Sequence, residues 1–322
     1  MAILRRVAVA GILALVLATP ARAWDNGGHL LIADVATQHL NPTARTELER
    51  LAAQLPHSGA SYNFITISYW MDDIRFDKAV PDYGMFKSWH YIDLGIAPGD
   101  PMPSLEPGDD NDERGNVVQA LKRAVVVLKG GTDPYIKDKA TACAIVMHLV
   151  GDIHQPLHCA SKYFLSHDKL LNDKGGNDEF IVNGANPGAA LNLHFFWDRA
   201  YEAAFDETTG NVIFEQRWVD SFREALPYNP DPKASLEPDF DAWAKESNAL
   251  SRDFVYRDLT EAGDKKHCRL SSAYVEKARS IAQRQLLLAG WRLATLLNET
   301  LGAPQPVAPP PPYPPGPPAI HY

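Results

Sequence analysis

The chain has 322 residues, 45% hydrophobic and 22% charged, with a formal net charge of −9. That composition suits a folded globular body and excludes wholesale disorder or a coiled coil. An acidic chain also argues against a broad cationic face that grips nucleic acid by counterion release, so any phosphate chemistry needs a local source of positive charge.

The first element is an apolar run. Arg5 and Arg6 precede VAVAGILALVLA, and Ala21-Arg22-Ala23 closes the segment. This is the pattern of a secretory signal peptide over residues 1–23 with an A-x-A cleavage site, so export to the periplasm or the medium is expected. The residues that should follow Arg5-Arg6 in a twin-arginine signal are missing, which favours the general route. No later apolar run approaches the roughly 20 residues of a membrane span. Residues 1–23 carry three arginines and no acid, so without them the charge of −9 becomes −12.

The body then reads as helix. HLLIADVATQHL has apolar residues at helical spacing, and Asn41-Pro42 caps a second helix in TARTELERLAAQL. GNVVQALKRAVVVLKG and TACAIVMHLVGDIH are strongly apolar helical stretches, and residues 271–301 form the longest periodic segment. DEFIVNG is the best strand candidate and predicts at most a small hairpin. PGDDNDERG (107–115) reads as an acidic loop, and PYNPDPKASLEPD (227–239) as a loop or lid. Ten of the 25 prolines fall between Pro304 and Pro318, so residues 302–322 are expected to form an extended, disordered tail. The prediction is one all-α domain over residues 24–301, large enough for a substantial core. Nothing in the sequence asks for more than a monomer.

Three cysteines, Cys143, Cys159 and Cys268, allow one disulfide and a thiol, or three buried thiols. No C-x-x-C exists, so a thiolate metal site is excluded. There is no G-x-S-x-G, Walker loop, G-x-G-x-x-G or H-E-x-x-H, which leaves serine-hydrolase, NTPase and dinucleotide readings without support.

Histidine and aspartate carry the chemistry. HLVGDIHQPLH places His148 and Asp152 four apart, on one helical face. Pro156 then breaks the helix, and His158 follows at once. NLHFFWD repeats the i, i+4 spacing at His194 and Asp198. With 11 histidines in the chain, about one such pair is expected by chance, so spacing alone says little. Context says more: both pairs lie in apolar stretches, where unpaired charge is expensive and a metal ion is one partner. His90 in SWHYID, Asp72 with Arg75 in YWMDDIR, and His29 five residues after Trp24 join the set. Taken singly, each also reads as a core histidine or a surface ion pair. Cleavage after Ala23 would make Trp24 the mature N-terminus, whose α-amine, with a pKa near ~7.7–8.0, could ligate a metal together with its own carbonyl.

Taken together, W-x4-H, W-x-D-x-x-R, WHYID, H-x3-D-x5-H and NLHFFWD closely resemble the trinuclear-zinc single-strand nuclease and 3′-nucleotidase family, the S-one/P-one type. The resemblance runs by motif from Trp24 to about residue 200. It implies an all-α fold and three zinc ions. Trp24 and His29 would hold one, and Asp72, His90 and His148 a close neighbour, with Asp152 bridging the two. His158, His194 and Asp198 would hold the third. Six positive charges against three carboxylates would make the site cationic inside an acidic protein.

The resemblance further implies hydrolysis of the P–O3′ bond in single-stranded DNA and RNA and in 3′-mononucleotides, leaving 5′-phosphates. Asp72 and Asp152 would serve catalysis through the ions, and Arg75 would hold a phosphoryl oxygen. Tyr91 matches the family's base-stacking aromatic, and Asp93 the residue bonding the base edge. Gly175-Gly176-Asn177 resembles the loop that presents Asn177 to that base. His154 departs from the pattern, standing where a small polar residue is usual; it is expected to line the cleft or orient a ligand.

Two rivals fit part of the pattern. A zinc-dependent phospholipase C would need a longer spacing from Trp to the first His, and Glu in place of Asp198. A non-enzymatic zinc-binding protein would need the ligands but not Arg75, Tyr91 and Asp93.

Overall fold

The computed structural model describes residues 24–55, 61–75, 86–96, 114–166, 169–182, 191–216, 238–261 and 267–302. The expected signal segment, the acidic loop up to residue 113, most of the 227–239 loop and the proline-rich tail lie outside the described residues.

Helix α5 (Lys139–Asp152) organises the molecule. Asp138 starts it by accepting the Thr141 N–H at 2.8 Å. Every residue from Ala142 to Asp152 is buried, as an all-round apolar sequence requires. Around it pack α1 (Asn26–Thr37), α2 (Pro42–Ala52), α3 (Trp70–Ile74), α4 (Val117–Leu128) and the 30-residue α8 (Ser272–Leu301). Asn41 caps α2 with Pro42 in the first turn, and Asn116 with Gln119 forms a capping box on α4. Between them stand α6 (Leu193–Asp198) and α7 (Phe240–Leu250), giving eight α-helices among the described residues.

Helices α1, α2, α4, α5 and α8 fall where the apolar periodicity places them, α3 and α6 are too short to show it, and the fold is mainly helical. The reading assigned no element to α7, whose apolar face is interrupted by Asp241, Lys245 and Glu246 and buries Phe240, Trp243 and Ala244.

The strands are more numerous than one hairpin. Among the described residues, nine short strands form three small sheets. The first joins β1 (Gly95–Ile96), β2 (Ser161–Ser166) and β3 (Lys169–Asn172). The second runs in the order β5 (Leu191–Asn192), β4 (Phe180–Ile181), β9 (His267–Arg269), β8 (Thr260–Glu261). The third pairs β6 (Ala203–Asp206) with β7 (Asn211–Phe214). Strands of two to six residues leave too little alternation for a sequence pattern to register. The expected DEFIVNG strand is β4, and its register Phe180↔Asn192 fixes the residue that caps α6.

Cys143, Cys159 and Cys268 are buried free thiols in three different elements, which decides the open choice against a disulfide. Burial pushes the thiols up, those of Cys143 and Cys268 to about 12, so none is a reactive thiolate. No helix among the described residues is long and apolar enough to cross a membrane.

Candidate metal centre and substrate cleft

Five elements converge on the end of α5. His148 and Asp152 lie one turn apart on its last two turns, and a 3₁₀ turn, Pro156–Cys159, carries His158 back beside them. His29 comes from α1, Asp72 from α3, His90 from a 3₁₀ turn at Lys87–His90, and His194 and Asp198 from α6. All eight side chains are buried. They form three groups, each with ligand atoms within 4.8 Å of one another: His29, His148 and Asp152; Asp72, His90 and His148; His158, His194 and Asp198.

Backbone carbonyls aim the imidazoles. Nδ1 of His148 donates to the Ser68 carbonyl at 2.8 Å, that of His158 to His90 at 2.7 Å and that of His194 to Gly175 at 2.7 Å. Each bond holds a proton on Nδ1 and turns Nε2 inward. His29 stacks on His148 with ring centroids 4.0 Å apart.

Protein groups alone do not satisfy this set. Nε2 of His194 lies 3.1 Å from Nε2 of His158. Both rings already donate through Nδ1, so two lone pairs face each other. Neither ring takes up the proton that would relieve this. Burial, with His158 beside it, lowers His194 to about 3, and burial lowers His158 too. Among the described residues, four further buried atoms have neither a hydrogen-bond nor an ion-pair partner: His29 Nδ1, Asp72 Oδ2, His90 Nε2 and Asp198 Oδ2. Orphaned donors and acceptors on this scale are destabilising unless a cation collects them. Nitrogen and carboxylate oxygen without thiolate are the donor types of a catalytic zinc site, so the residues fit such an ion.

Trp24 is buried beside the same groups. Its indole N–H donates to the Gly151 carbonyl at 2.9 Å, one residue before Asp152, and the Asp25 N–H donates to the Asp198 carbonyl at 3.2 Å. The start of the body is therefore clamped between two of the candidate aspartates.

A cleft of about 370 Å³ opens over His90, His158 and His194. Arg75, Tyr91, Asp93 and Asn177 line it, so every residue assigned to substrate by resemblance reaches one cavity. Tyr91 is half-buried at the wall rather than packed in the core. Asp93 accepts the Ser161 hydroxyl at 2.6 Å, and Arg75 Nη1 stands 3.6 Å from Asp72 Oδ1. The Asn177 amide donates to the Lys174 carbonyl at 2.8 Å, so its turn role coexists with a place on the wall. Asn172 and Lys174 line the cleft too, which the sequence reading did not anticipate.

Comparison with known proteins decides the family. The S1/P1 Nuclease profile matches residues 24–302. Nuclease S1 of Aspergillus oryzae is 25% identical over 308 residues, covering 88% of this chain and 94% of that protein. Endonuclease 2 of Arabidopsis thaliana is 27% identical over 297 residues, covering 87% and 91%. Endonuclease 3 of the same plant is 23% identical over 290 residues, covering 88% and 90%. The chain belongs to the S1/P1 nuclease family. It is a hydrolase of phosphoester bonds.

One expectation fails. His154 does not line the cleft of this S1/P1 nuclease. It is buried in the core, its Nδ1 donates to the Val150 carbonyl at 2.6 Å, and its Nε2 accepts from Arg292 Nη1 at 2.8 Å. Arg292 also pairs with Glu246 at 2.8 Å. The histidine ties α5 to α8 and α7.

Gln155 was overlooked. It is fully buried, its amide donates to Asp198 Oδ1 at 2.7 Å, and its carbonyl accepts the Leu157 N–H at 2.5 Å. A polar residue beside Pro156 in an apolar turn was the available signal.

Burial opposes charge throughout the centre; local charges overcome it at His148, Asp152 and Asp72, and burial prevails at the other groups. Against burial, Asp152 and Asp72 push His148 up to about 9, and in return the histidines hold both carboxyls below their usual range. Burial raises Asp198 well above that range, with only Gln155 opposing it directly. His148 therefore carries a proton at neutral pH that a metal must displace. Loading with zinc at pH 7 should release at least one proton per chain, and the release should fall as pH rises through about 9. Calorimetric titration in two buffers of different ionisation enthalpy measures this; zinc uptake with no proton release at pH 7 contradicts it.

Proposed function

We propose that this protein is a zinc-dependent endonuclease and 3′-nucleotidase of single-stranded nucleic acid. It cleaves the P–O3′ bond in DNA and RNA strands and in 3′-mononucleotides, leaving 5′-phosphorylated products. The observation that carries the reading is the facing pair of His158 and His194 lone pairs beside Asp198. It creates a demand for a cation at the floor of a cleft whose walls carry Tyr91, Asp93 and Arg75.

Three zinc ions account for the three donor groups. His29, Asp152 and the main chain of Trp24 would hold one, Asp72, His90 and His148 a second shared with Asp152, and His158, His194 and Asp198 the third. Bound there, zinc supplies a hydroxide at neutral pH and neutralises charge on the departing 3′ oxygen. The chain's own residues do the remaining work. Tyr91 offers its ring to an unpaired base, worth ~1–3 kcal/mol and indifferent to sequence. Asp93, held by Ser161, accepts from the base edge, and Asn177 closes the same wall. Arg75, held near Asp72, steadies a phosphoryl oxygen and offsets charge in the transition state. A paired base cannot enter without leaving its stack, which selects single strands.

The same reading makes residues 1–23 a cleaved export signal, Trp24 the first residue of the mature protein, residues 24–301 the catalytic domain and 302–322 a tail. The compartment is periplasmic or extracellular.

Purified mature protein should release acid-soluble nucleotides from single-stranded DNA and phosphate from 3′-AMP, and no phosphocholine from phosphatidylcholine vesicles. Arg75→Ala should keep its zinc and lose about a hundredfold or more in kcat. Phosphocholine release without nucleotide release would overturn the assignment, as would zinc-loaded protein inert on every substrate. Retaining extra residues before Trp24 should abolish the activity, because the α-amine is then an amide; full activity of such a protein removes Trp24 from the ligand set.

A further inference from the structure

Asp173 has no part in the reading above, yet it is buried. Its Oδ1 accepts the Lys162 N–H at 2.8 Å, its Oδ2 accepts the Tyr256 hydroxyl at 2.8 Å, and the Gly176 N–H donates to it as well. Its own carbonyl accepts the Asp178 N–H at 3.0 Å. Asp173 thus binds both ends of the turn that follows it.

That turn is unusual. Lys174, Gly175 and Gly176 have φ of 54°, 61° and 81°, three consecutive residues in the left-handed region. The conformation is strained for a lysine and persists only where the surroundings impose it. A Cβ on Gly175 would stand 2.7 Å from the Leu157 carbonyl, so the loop is pressed against the turn that carries His158.

The conformation delivers two carbonyls to one histidine. The Gly175 carbonyl accepts from His194 Nδ1 at 2.7 Å, and the Gly176 carbonyl accepts the His194 backbone N–H at 3.3 Å. The Gly175 N–H donates to the Ser161 hydroxyl at 3.1 Å, which in turn donates to Asp93 at 2.6 Å. One loop therefore sets both the His194 ring and the Asp93 carboxylate.

Tyr256 reaches Asp173 through a break in regular helix. Beyond α7 the chain makes a π-turn over Ser251–Val255, in which the Tyr256 N–H donates to the Ser251 carbonyl at 3.0 Å. Such turns are rare and recur at functional positions. The Tyr274 hydroxyl fixes this one by donating to the Val255 carbonyl at 2.9 Å. Lys162, paired with Glu179, lies 5.3 Å from the centre of the Tyr256 ring.

We propose that Asp173 and Tyr256 are positioning residues for His194. Their hydroxyl–carboxylate bond holds the Lys174–Gly176 loop so that its carbonyls fix the tautomer and aim of the imidazole towards the ion shared with His158 and Asp198. The same loop holds Asp93 ready for the base. The inference rests on the three-zinc reading above.

The test compares wild type, Tyr256→Phe and Asp173→Ala as full mature chains. Zinc is withdrawn stepwise with a competing chromophoric chelator. Tyr256→Phe should loosen one ion of three by about tenfold, and Asp173→Ala the same ion by about ten- to a hundredfold, with the other two unchanged. In metal-free protein, amide exchange at Gly175, Gly176 and His194 should accelerate in both variants while that of α5 stays constant. Three unchanged affinities with unchanged exchange overturn the proposal. So does equal weakening of all three ions in Tyr256→Phe, which marks general loosening. If Asp173→Ala does not fold, Tyr256→Phe, lacking one hydroxyl, decides. Wild type holding fewer than three ions counts against the functional reading instead, and loop exchange in the metal-free variants still decides this one.

Discussion

A buried set of imidazoles and carboxylates that cannot satisfy itself governs this protein. Two Nε2 lone pairs face each other at 3.1 Å, and Asp72 Oδ2 has no hydrogen-bond partner among the described residues. Such an arrangement inside an apolar helical core is tolerable only if positive charge is brought in from outside. The rest of the architecture follows from that demand.

The scaffold meets it with backbone rather than side chains. Carbonyls of Ser68, His90 and Gly175 take the outer protons of three histidines and turn their inner nitrogens towards the ligand set. A central helix buried on all sides brings His148 and Asp152 to the middle of the molecule. Trp24 and Asp25, at the start of the helical body, are pinned to both ends of the ligand set, through Gly151 and Asp198. An acidic protein can then address a polyanion, because the attraction is concentrated in one cleft instead of spread over a surface.

Much of this was legible in the residues. Helices α1 and α5 announce themselves by apolar periodicity, and His148–Asp152 and His194–Asp198 by i, i+4 spacing. Neither spacing was decisive alone, since chance supplies such pairs; the conjunction of five motifs in order was. What the sequence hid is geometric. Strands as short as Phe180–Ile181 carry no readable alternation. The π-turn before Tyr256 depends on tertiary packing, and His154 reads like a cleft residue until Arg292, 138 residues away, is seen to claim its Nε2. Gln155 and Asp173 act through other residues, and no pattern of types marks that kind of role.

The most direct test of the central claim is a metal count on protein that begins at Trp24. Elemental analysis should find three zinc ions per chain, with hydrolysis lost on chelation and restored by zinc. Fewer than two ions per chain, with hydrolysis unaffected when they are stripped away, would contradict the account.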